Sequence, residues 1–310
     1  MFNFFRPFIF KFSPEIAHSL SIKALKLNNF PINKIVKSEI LETNFCGKKL
    51  SSPVGIAAGF DKNAEVYNPL FNLGFGFVEV GTITPKPQYG NPKPRVFRLE
   101  EDEALINRLG FNNSGSEEIS SRMSKETKKG ILGINIGPNK DAENRIEDYI
   151  SCFKKFHSLA DYISVNISSP NTDNLRDFHN HDELNSLIKE LKNEKGKLNS
   201  KVPIAVKVSP DLNDEQIEVV SNILLDQEIE IIIVSNSSDK NRDKLNNINK
   251  LEKGGLSGKP LYQVSNNIIS KFYKLLGNKI KIIGVGGVDS GEAAFEKIIR
   301  GASLVQLYTG

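Results

Sequence analysis

Eight short runs of apolar, mostly β-branched residues recur along the chain, and their order constrains the fold more than any other feature. They lie at residues 54–58, 75–82, 132–136, 162–167, 204–208, 231–235, 281–285 and 303–308. Runs that stay apolar instead of alternating are strands covered on both faces, as in a parallel sheet flanked by helices. Helix-like stretches separate most of them, at 183–198, 214–227, 262–276 and 291–299. Asn213 and Ser290 stand directly before two of these as N-caps, with acids close behind at the positive helix end. Eight β–α units in succession predict a (β/α)8 TIM barrel over a doubly wound sheet. A length of 310 residues suits one such large domain.

Several stretches fall outside the repeat. Residues 85–130 form the longest interruption, with Pro85, Pro87, Pro92 and Pro94 followed by a hairpin signal around 95–99. A loop of that length is expected to cover a site. Residues 240–253, rich in Lys and Asn, read as a solvated loop. Ahead of the barrel, Ser13-Pro14-Glu15 starts a helix with an N-cap, a first-turn proline and an early acid. Ile16, Ala17, Leu20, Ala24 and Leu27 then share one face at helical spacing. The sequence stops at Gly310, directly after the eighth run. A barrel covers its eighth strand with an eighth helix, so a further segment of about 15–25 residues is expected beyond this point.

Charge and aromatic content are uneven. Residues 1–50 hold eight Lys/Arg against three Glu, a balance of +5, whereas the other 260 residues sum to −1 from 33 basic and 34 acidic groups. Six of the nineteen phenylalanines fall between Phe2 and Phe12. A basic, aromatic front end on a neutral body argues against nucleic-acid binding, whose basic footprint lies on the folded domain itself. No run approaches the ~20 apolar residues of a bilayer span, and Arg6 and Lys11 break any signal-peptide core. Cys46 and Cys152 lack metal or redox spacing and read as two free thiols. His179 and His181, two apart in a polar stretch, read as a solvated turn rather than metal ligands.

Barrel active sites form at the C-terminal ends of the strands. Those ends read Ala58-Gly59-Phe60-Asp61-Lys62, Gly81-Thr82, Asn135-Ile136-Gly137, Asn166 to Asn171, Lys207, Ser235-Asn236-Ser237, Gly284 to Gly287 and Tyr308-Thr309-Gly310. Amides, hydroxyls and lysines predominate, without carboxylate or histidine clusters, which suits a planar ligand with many hydrogen-bond acceptors. Gly286 and Gly287 either make a tight turn or cradle a phosphate, and their position after strand seven favours the phosphate. Lys62 and Lys207 end apolar strands at the same mouth, and three readings are open for them: Schiff-base chemistry, as in an aldolase, anion binding, or plain solvation. Asn107, Asn135, Asn166, Asn171 and Asn236 could each form turns, but five around one mouth favour ligand recognition. Ser169 has no nearby His for a hydrolase triad, and no G-x-S-x-G is present.

At these positions the chain resembles a known family. AAGFDKN, GTITPKPQYGNPKPRVFRL, INRLGFNN, GINIG, NISSPNT, VKVSPDL, GGLSGKP, IIGVGGVDS and GASLVQLYTG occur in this order between Ala57 and Gly310. Together they resemble the dihydroorotate dehydrogenases, and SPEIAHSLSIKAL with the serine of NISSPNT resembles class 2, the membrane-associated, quinone-reducing branch. Class 1 enzymes carry a cysteine base, and neither cysteine here lies near a motif. The resemblance implies FMN across the barrel mouth, oxidation of dihydroorotate to orotate in pyrimidine synthesis, and a membrane quinone as acceptor without an iron–sulfur partner subunit. It implies Ser169 as the base at C5, Thr172 and Phe111 in its proton relay, and Lys207 beside the flavin N1/O2 edge. Lys62, Asn107, Arg108, Leu109, Gly110, Phe111, Asn166, Asn171, Asn236 and Ser237 would meet the substrate, with Ser237 standing where Thr is frequent. Ala58, Gly59, Phe60, Asp61, Lys62, Thr82, Asn135, Asn166, Lys207, Ser235 and Gly258 would meet the flavin and its ribityl chain. Gly287, Tyr308 and Thr309 would take the phosphate end. His18 and Arg98 would meet the quinone head. Residues 1–45 would be a helical membrane and quinone-access segment and 46–310 the FMN barrel. The protein would then sit peripherally on the cytoplasmic face of a bacterial-type inner membrane.

Overall fold

The computed structural model describes residues 2–27, 38–172, 175–240 and 242–310. Eight parallel strands close into a barrel: β1 (Val54–Ile56), β2 (Phe77–Ile83), β3 (Ile131–Ile136), β4 (Tyr162–Asn166), β5 (Ile204–Val208), β6 (Ile231–Val234), β7 (Lys281–Val285) and β8 (Leu304–Leu307). Neighbours in space are neighbours in sequence, and β8 closes onto β1 with Val305, Gln306 and Leu307 opposite Val54, Gly55 and Ile56. The ring of strands is therefore closed within the described residues.

Helices α1 (Phe2–Ile9), α2 (Pro14–Lys26), α3 (Tyr67–Asn72), α4 (Ser116–Met123), α5 (Arg145–Phe156), α6 (His181–Lys197), α7 (Asp214–Asp226), α8 (Tyr262–Leu276) and α9 (Gly291–Ile299) accompany the barrel, α1 and α2 lying beside its C-terminal mouth. Two of the expected caps form. Asn213 Oδ1 accepts from the Gln216 N–H at 2.8 Å and Gln216 Oε1 from the Asn213 N–H at 3.1 Å, a reciprocal capping box on α7. Ser290 Oγ accepts from the Ala293 N–H at 3.1 Å on α9. Ser13 occupies the N-cap position of α2 but its side chain caps nothing. The outward strand faces and the inward helix faces make the main core, with Ile134, Val165, Val206 and Ile232 among Phe153, Leu187, Ile223 and Phe272.

Inside the barrel the two-residue period of each strand stacks side chains in layers. The bottom layer is apolar: Phe77, Ile131, Tyr162, Ala205, Ile231, Ile283 and Leu304. A hairpin of Thr43–Phe45 with Lys48–Leu50 plugs it, the Phe45 ring lying 5.6 Å from Tyr162 and 6.0 Å from Phe77. Toward the mouth the inward positions of β2, β3, β4, β5 and β8 turn polar with Glu79, Asn135, Ser164, Lys207 and Gln306, all buried, while β6 and β7 stay apolar at Ile233 and Val285. The next step is the mouth.

The long interruption folds back over that mouth. Val96–Leu99 and Ala104–Asn107 form the expected hairpin, and Gly255–Gly258 adds a third antiparallel strand beside the second. That third strand follows directly on the stretch read as a solvated loop. Helix α2 packs Ala17, Ile22 and Leu25 inward. Ile16, Leu20 and Leu27, read as one apolar stripe with Ala17 and Ala24, are exposed at 52%, 46% and 74%. Arg95 pins the hairpin to α2, its guanidinium meeting Glu15 Oε1 at 2.9 and 3.0 Å.

Candidate active site

One cavity opens at the C-terminal mouth, lined from β1, β2, β4, β5, β6, β7 and β8 and roofed by the hairpin sheet. Lys207 forms part of its lining, buried, pointing inward from β5 one period above Ala205. Burial pulls its pKa down while Glu79 in the layer below acts the other way. Lys62 also lines it, donating to the Gly59 carbonyl at 2.6 Å, and burial pushes its pKa down to about 8. Desolvated cations without a carboxylate in contact are what a polar or anionic ligand would satisfy.

The amides are arranged as a chain. Tyr149 Oη donates to the Asn166 carbonyl at 2.6 Å and fixes the end of β4. Asn166 Nδ2 donates to Thr82 Oγ1 at 3.0 Å, and Thr82 in turn donates to Asn135 Oδ1 at 2.6 Å. Asn236 Nδ2 donates to Ser168 Oγ at 2.9 Å, and Ser168 donates to Asn166 Oδ1 at 2.8 Å. Asn171 Nδ2 donates to the Asn107 carbonyl at 3.1 Å, tying the β4 loop to the hairpin. Ser169, 5% exposed, faces the cavity and its Oγ accepts from the Asn171 N–H at 3.2 Å.

At the far side Gly286 and Gly287 adopt φ of +115° and +66°, conformations that favour glycine. A Cβ on Gly287 would come within 2.6 Å of the Tyr262 backbone nitrogen, so bare backbone is required there. Tyr308 and Thr309 complete this end, Thr309 Oγ1 donating to Ser257 Oγ at 2.9 Å.

Ala58, Gly59, Lys62, Thr82, Asn107, Leu109, Gly110, Phe111, Asn166, Ser169, Asn171, Lys207, Ser235, Asn236, Ser237, Gly258, Gly287, Tyr308 and Thr309 thus meet around one cavity. Others singled out in the sequence lie elsewhere. Asn135 is spent inside the barrel, its Nδ2 on Glu79 Oε1 at 2.8 Å and Ser164 Oγ at 3.0 Å. Asp61 turns back to accept the Glu65 and Val66 N–H groups at 2.8 and 2.7 Å, and burial lifts its pKa to about 6. Arg108 leaves the mouth to pair with Glu252 at 2.6 Å and stack on Phe97. Thr172 is buried and does not line the cavity. His179 is no solvated turn: at 2% exposure it joins the β4 loop to the end of β5.

A second cavity lies between α2 and the barrel, with His18, Phe60 and Asp61 in its wall and Lys62, Leu109 and Tyr308 shared with the first. His18 packs edge-on to Phe60 at 5.3 Å, and burial lowers its pKa to about 4. Arg98 does not join it. It holds the α1–α2 turn instead, donating to the Phe12 carbonyl at 2.7 Å with its guanidinium 4.5 Å from the Phe10 ring.

Sequence reasoning missed Glu79, Gln306 and Ser257. Strand alternation from Phe77 carries the signal for Glu79, whose Oε2 accepts from Tyr162 Oη at 2.8 Å and Gln306 Nε2 at 2.9 Å. Ser257 stood in GGLSGKP. Among the described residues, no group of three or more His, Cys, Asp or Glu is placed to hold a metal.

A parallel barrel whose inward positions turn from apolar to polar toward one cavity at the C-terminal mouth defines a (β/α)8-barrel enzyme. The family model described as dihydroorotate dehydrogenase matches residues 40–310. The chain belongs to the dihydroorotate dehydrogenase family. It is 46% identical over 313 residues to the dihydroorotate dehydrogenase (quinone) of Allorhizobium ampelinum, covering 99% of this chain and 86% of that one. The corresponding protein of Bartonella tribocorum is 45% identical over 310 residues, covering 98% and 86%. Among solved structures, the dihydroorotate dehydrogenase of Eimeria tenella in complex with ferulenol superposes with a TM-score of 0.92 at 38% identity, covering 96% of this chain and 86% of that one. Membership selects oxidoreductase chemistry over the aldolase reading of Lys62 and Lys207.

Proposed function

We propose that the chain oxidises dihydroorotate to orotate, with FMN across the barrel mouth and a membrane quinone as the final acceptor. The observation that carries this reading is the continuity of one cavity from Ser169 and the amides at one end to Gly286, Gly287 and Thr309 at the other. The backbone cradle at Gly286 and Gly287 fits the phosphate of a flavin mononucleotide, and Lys207 stands in the lining of the same cavity. A flavin bound there would supply the hydride acceptor for the substrate.

The chain's own residues do the rest. Ser169 removes the C5 proton. A free hydroxyl is a poor base, so its burial and a route for the proton through Thr172 and past Phe111 are part of the proposal. Asn107, Asn166, Asn171, Asn236 and Ser237 present donors and acceptors to the substrate ring, and Lys62 a positive charge to its carboxylate. Lys207 supplies a buried positive charge at the flavin edge.

The second cavity supports a quinone route, since Lys62, Leu109 and Tyr308 separate it from the first. Phe8, Phe12, Ile16 and Leu20 face outward beside Lys11 and Lys23, an apolar strip with cations that suits an anionic membrane surface. No helix among the described residues is long and apolar enough to cross a membrane. Residues 1–45 then form the access segment and 46–310 the catalytic barrel, peripheral on the cytoplasmic face of an inner membrane.

The test is spectroscopic. The purified chain should be yellow and bleach when dihydroorotate is added without oxygen. Ser169→Ala should stay yellow and bleach at least ~100-fold more slowly, the scale of a lost general base. A native protein that binds flavin yet never bleaches overturns the reading.

A further inference from the structure

Lys297 on α9 is fully buried. Its ammonium donates to Ser265 Oγ and to Asn266 Oδ1, each at 2.9 Å, and the only ring near it is Tyr262, with its centroid at 5.8 Å, among the described contacts. Among the described residues no carboxylate opposes the charge, and burial pulls its pKa down to about 7. Asn266 Nδ2, a second donor at the same spot, is buried without an acceptor. Both partners lie in the first turns of α8, whose amino end adds positive potential of its own. The cluster therefore has surplus donors, surplus positive charge and no anion, an arrangement that is unfavourable unless a negative group lies close by.

The neighbouring wall is the glycine cradle. Ser265, which holds the ammonium, also donates to the Val285 carbonyl at 2.6 Å, and its Cβ stands 3.2 Å from where a Cβ on Gly286 would be. Gly287 rests on the backbone of Tyr262, the first residue of the same helix. Lys297 does not line the cavity. It sits one side-chain layer behind the wall that the phosphate would touch.

We infer that Lys297 is the counter-charge for the phosphate of the bound flavin, a positioning residue that acts through Ser265 and the first turns of α8. This rests on the FMN reading above. The low-dielectric interior between the two sites is what lets one charge act on the other without contact.

The experiment separates the two layers of argument. The full chain, freed of flavin, is titrated with FMN and with riboflavin by flavin fluorescence. The native chain should bind FMN more tightly. Lys297→Met should cut the FMN-to-riboflavin affinity ratio at least ~tenfold, which is 1.4 kcal/mol, while leaving riboflavin affinity in place. It should also raise the thermal midpoint of the flavin-free chain, because an unpaired buried charge has gone. A native chain indifferent to the phosphate overturns the FMN reading itself. A native preference for FMN that survives in Lys297→Met, or an equal loss for both flavins, overturns the inference alone. If Lys297→Met does not fold, Lys297→Gln is titrated the same way. Should neither fold, the ammonium is structural and the inference falls.

Discussion

His179 is held in one tautomer because both ring nitrogens are committed. Nε2 lies 3.3 Å from the Ser209 N–H, which can only donate, so Nδ1 must carry the proton that bonds the Arg176 carbonyl at 2.9 Å. Protonating Nε2 would set two donors face to face in a buried site, and burial lowers the pKa to about 4. With an ordinary value near 6.5, the unfolded chain takes up the extra proton in the window between. Stability is therefore complete above pH ~6.5 and is lost as pH falls toward 4, by roughly 3 kcal/mol at most. Asp61, raised by burial to about 6, titrates with the opposite sign over part of that window, so the native curve alone does not isolate the histidine. His179→Gln should lose less stability than the native chain between pH 7 and pH 4.5, measured by urea unfolding. Parallel curves would refute this account of the ring.

At the scale of elements, α1 and α2 join the barrel through few polar ties. Among the described residues these are Arg95 on Glu15, Arg98 on the Phe10 and Phe12 carbonyls, Lys26 on Glu65, and the His18 ring on the Phe60 backbone. Their exposed face is apolar and basic, so access for a lipid-soluble acceptor and membrane contact would both reside there. Deleting residues 1–30 should release the protein from anionic vesicles and abolish quinone reduction, with dihydroorotate-dependent reduction of a soluble dye persisting. Loss of both activities would refute this division of labour. The barrel elements were legible in the sequence because fully covered strands are apolar end to end, and α8 and α9 begin and end where the pattern places them. Gly255–Gly258 was not. With two glycines in four residues it has little strand propensity, and it is a strand only because Ala104–Asn107, some 150 positions away in the chain, offers a ladder. The orientation of α2 was equally hidden, since periodicity defines a face but not what lies opposite it. Motifs located the site, yet Asp61, Asn135 and Arg108 stand within them and turn elsewhere, because local hydrogen bonds and ion pairs decide side-chain direction.

For the molecule as a whole, the cavity draws on seven of the eight strands, β3 being the exception because Asn135 is consumed inside the barrel. β1 is held on both sides by short ladders, three residue pairs to β8 and two to β2, against the four joining β5 to β6 or β6 to β7. Residues just past the C-terminal ends of both β8 and β1, Ala57 to Gly59 and Tyr308 to Gly310, line the same cavity. A flavin lying there would bridge the seam between β8 and β1 as well as do chemistry. Binding only the closed barrel, it stabilises by mass action, about 2.7 kcal/mol at a free concentration one hundred times its dissociation constant. For a domain of this size that corresponds to roughly 5–10 °C in the unfolding midpoint. Removing flavin should lower the midpoint by that amount, and each tenfold rise in free FMN above its dissociation constant should add about 1.4 kcal/mol, without a plateau. Because the seam lies on the far side of the barrel from β4 and β5, hydrogen exchange in the flavin-free chain should accelerate first at Val305 and Leu307 and last at Val165 and Val206. Uniform acceleration would mean that the flavin stabilises the barrel without acting as its clasp.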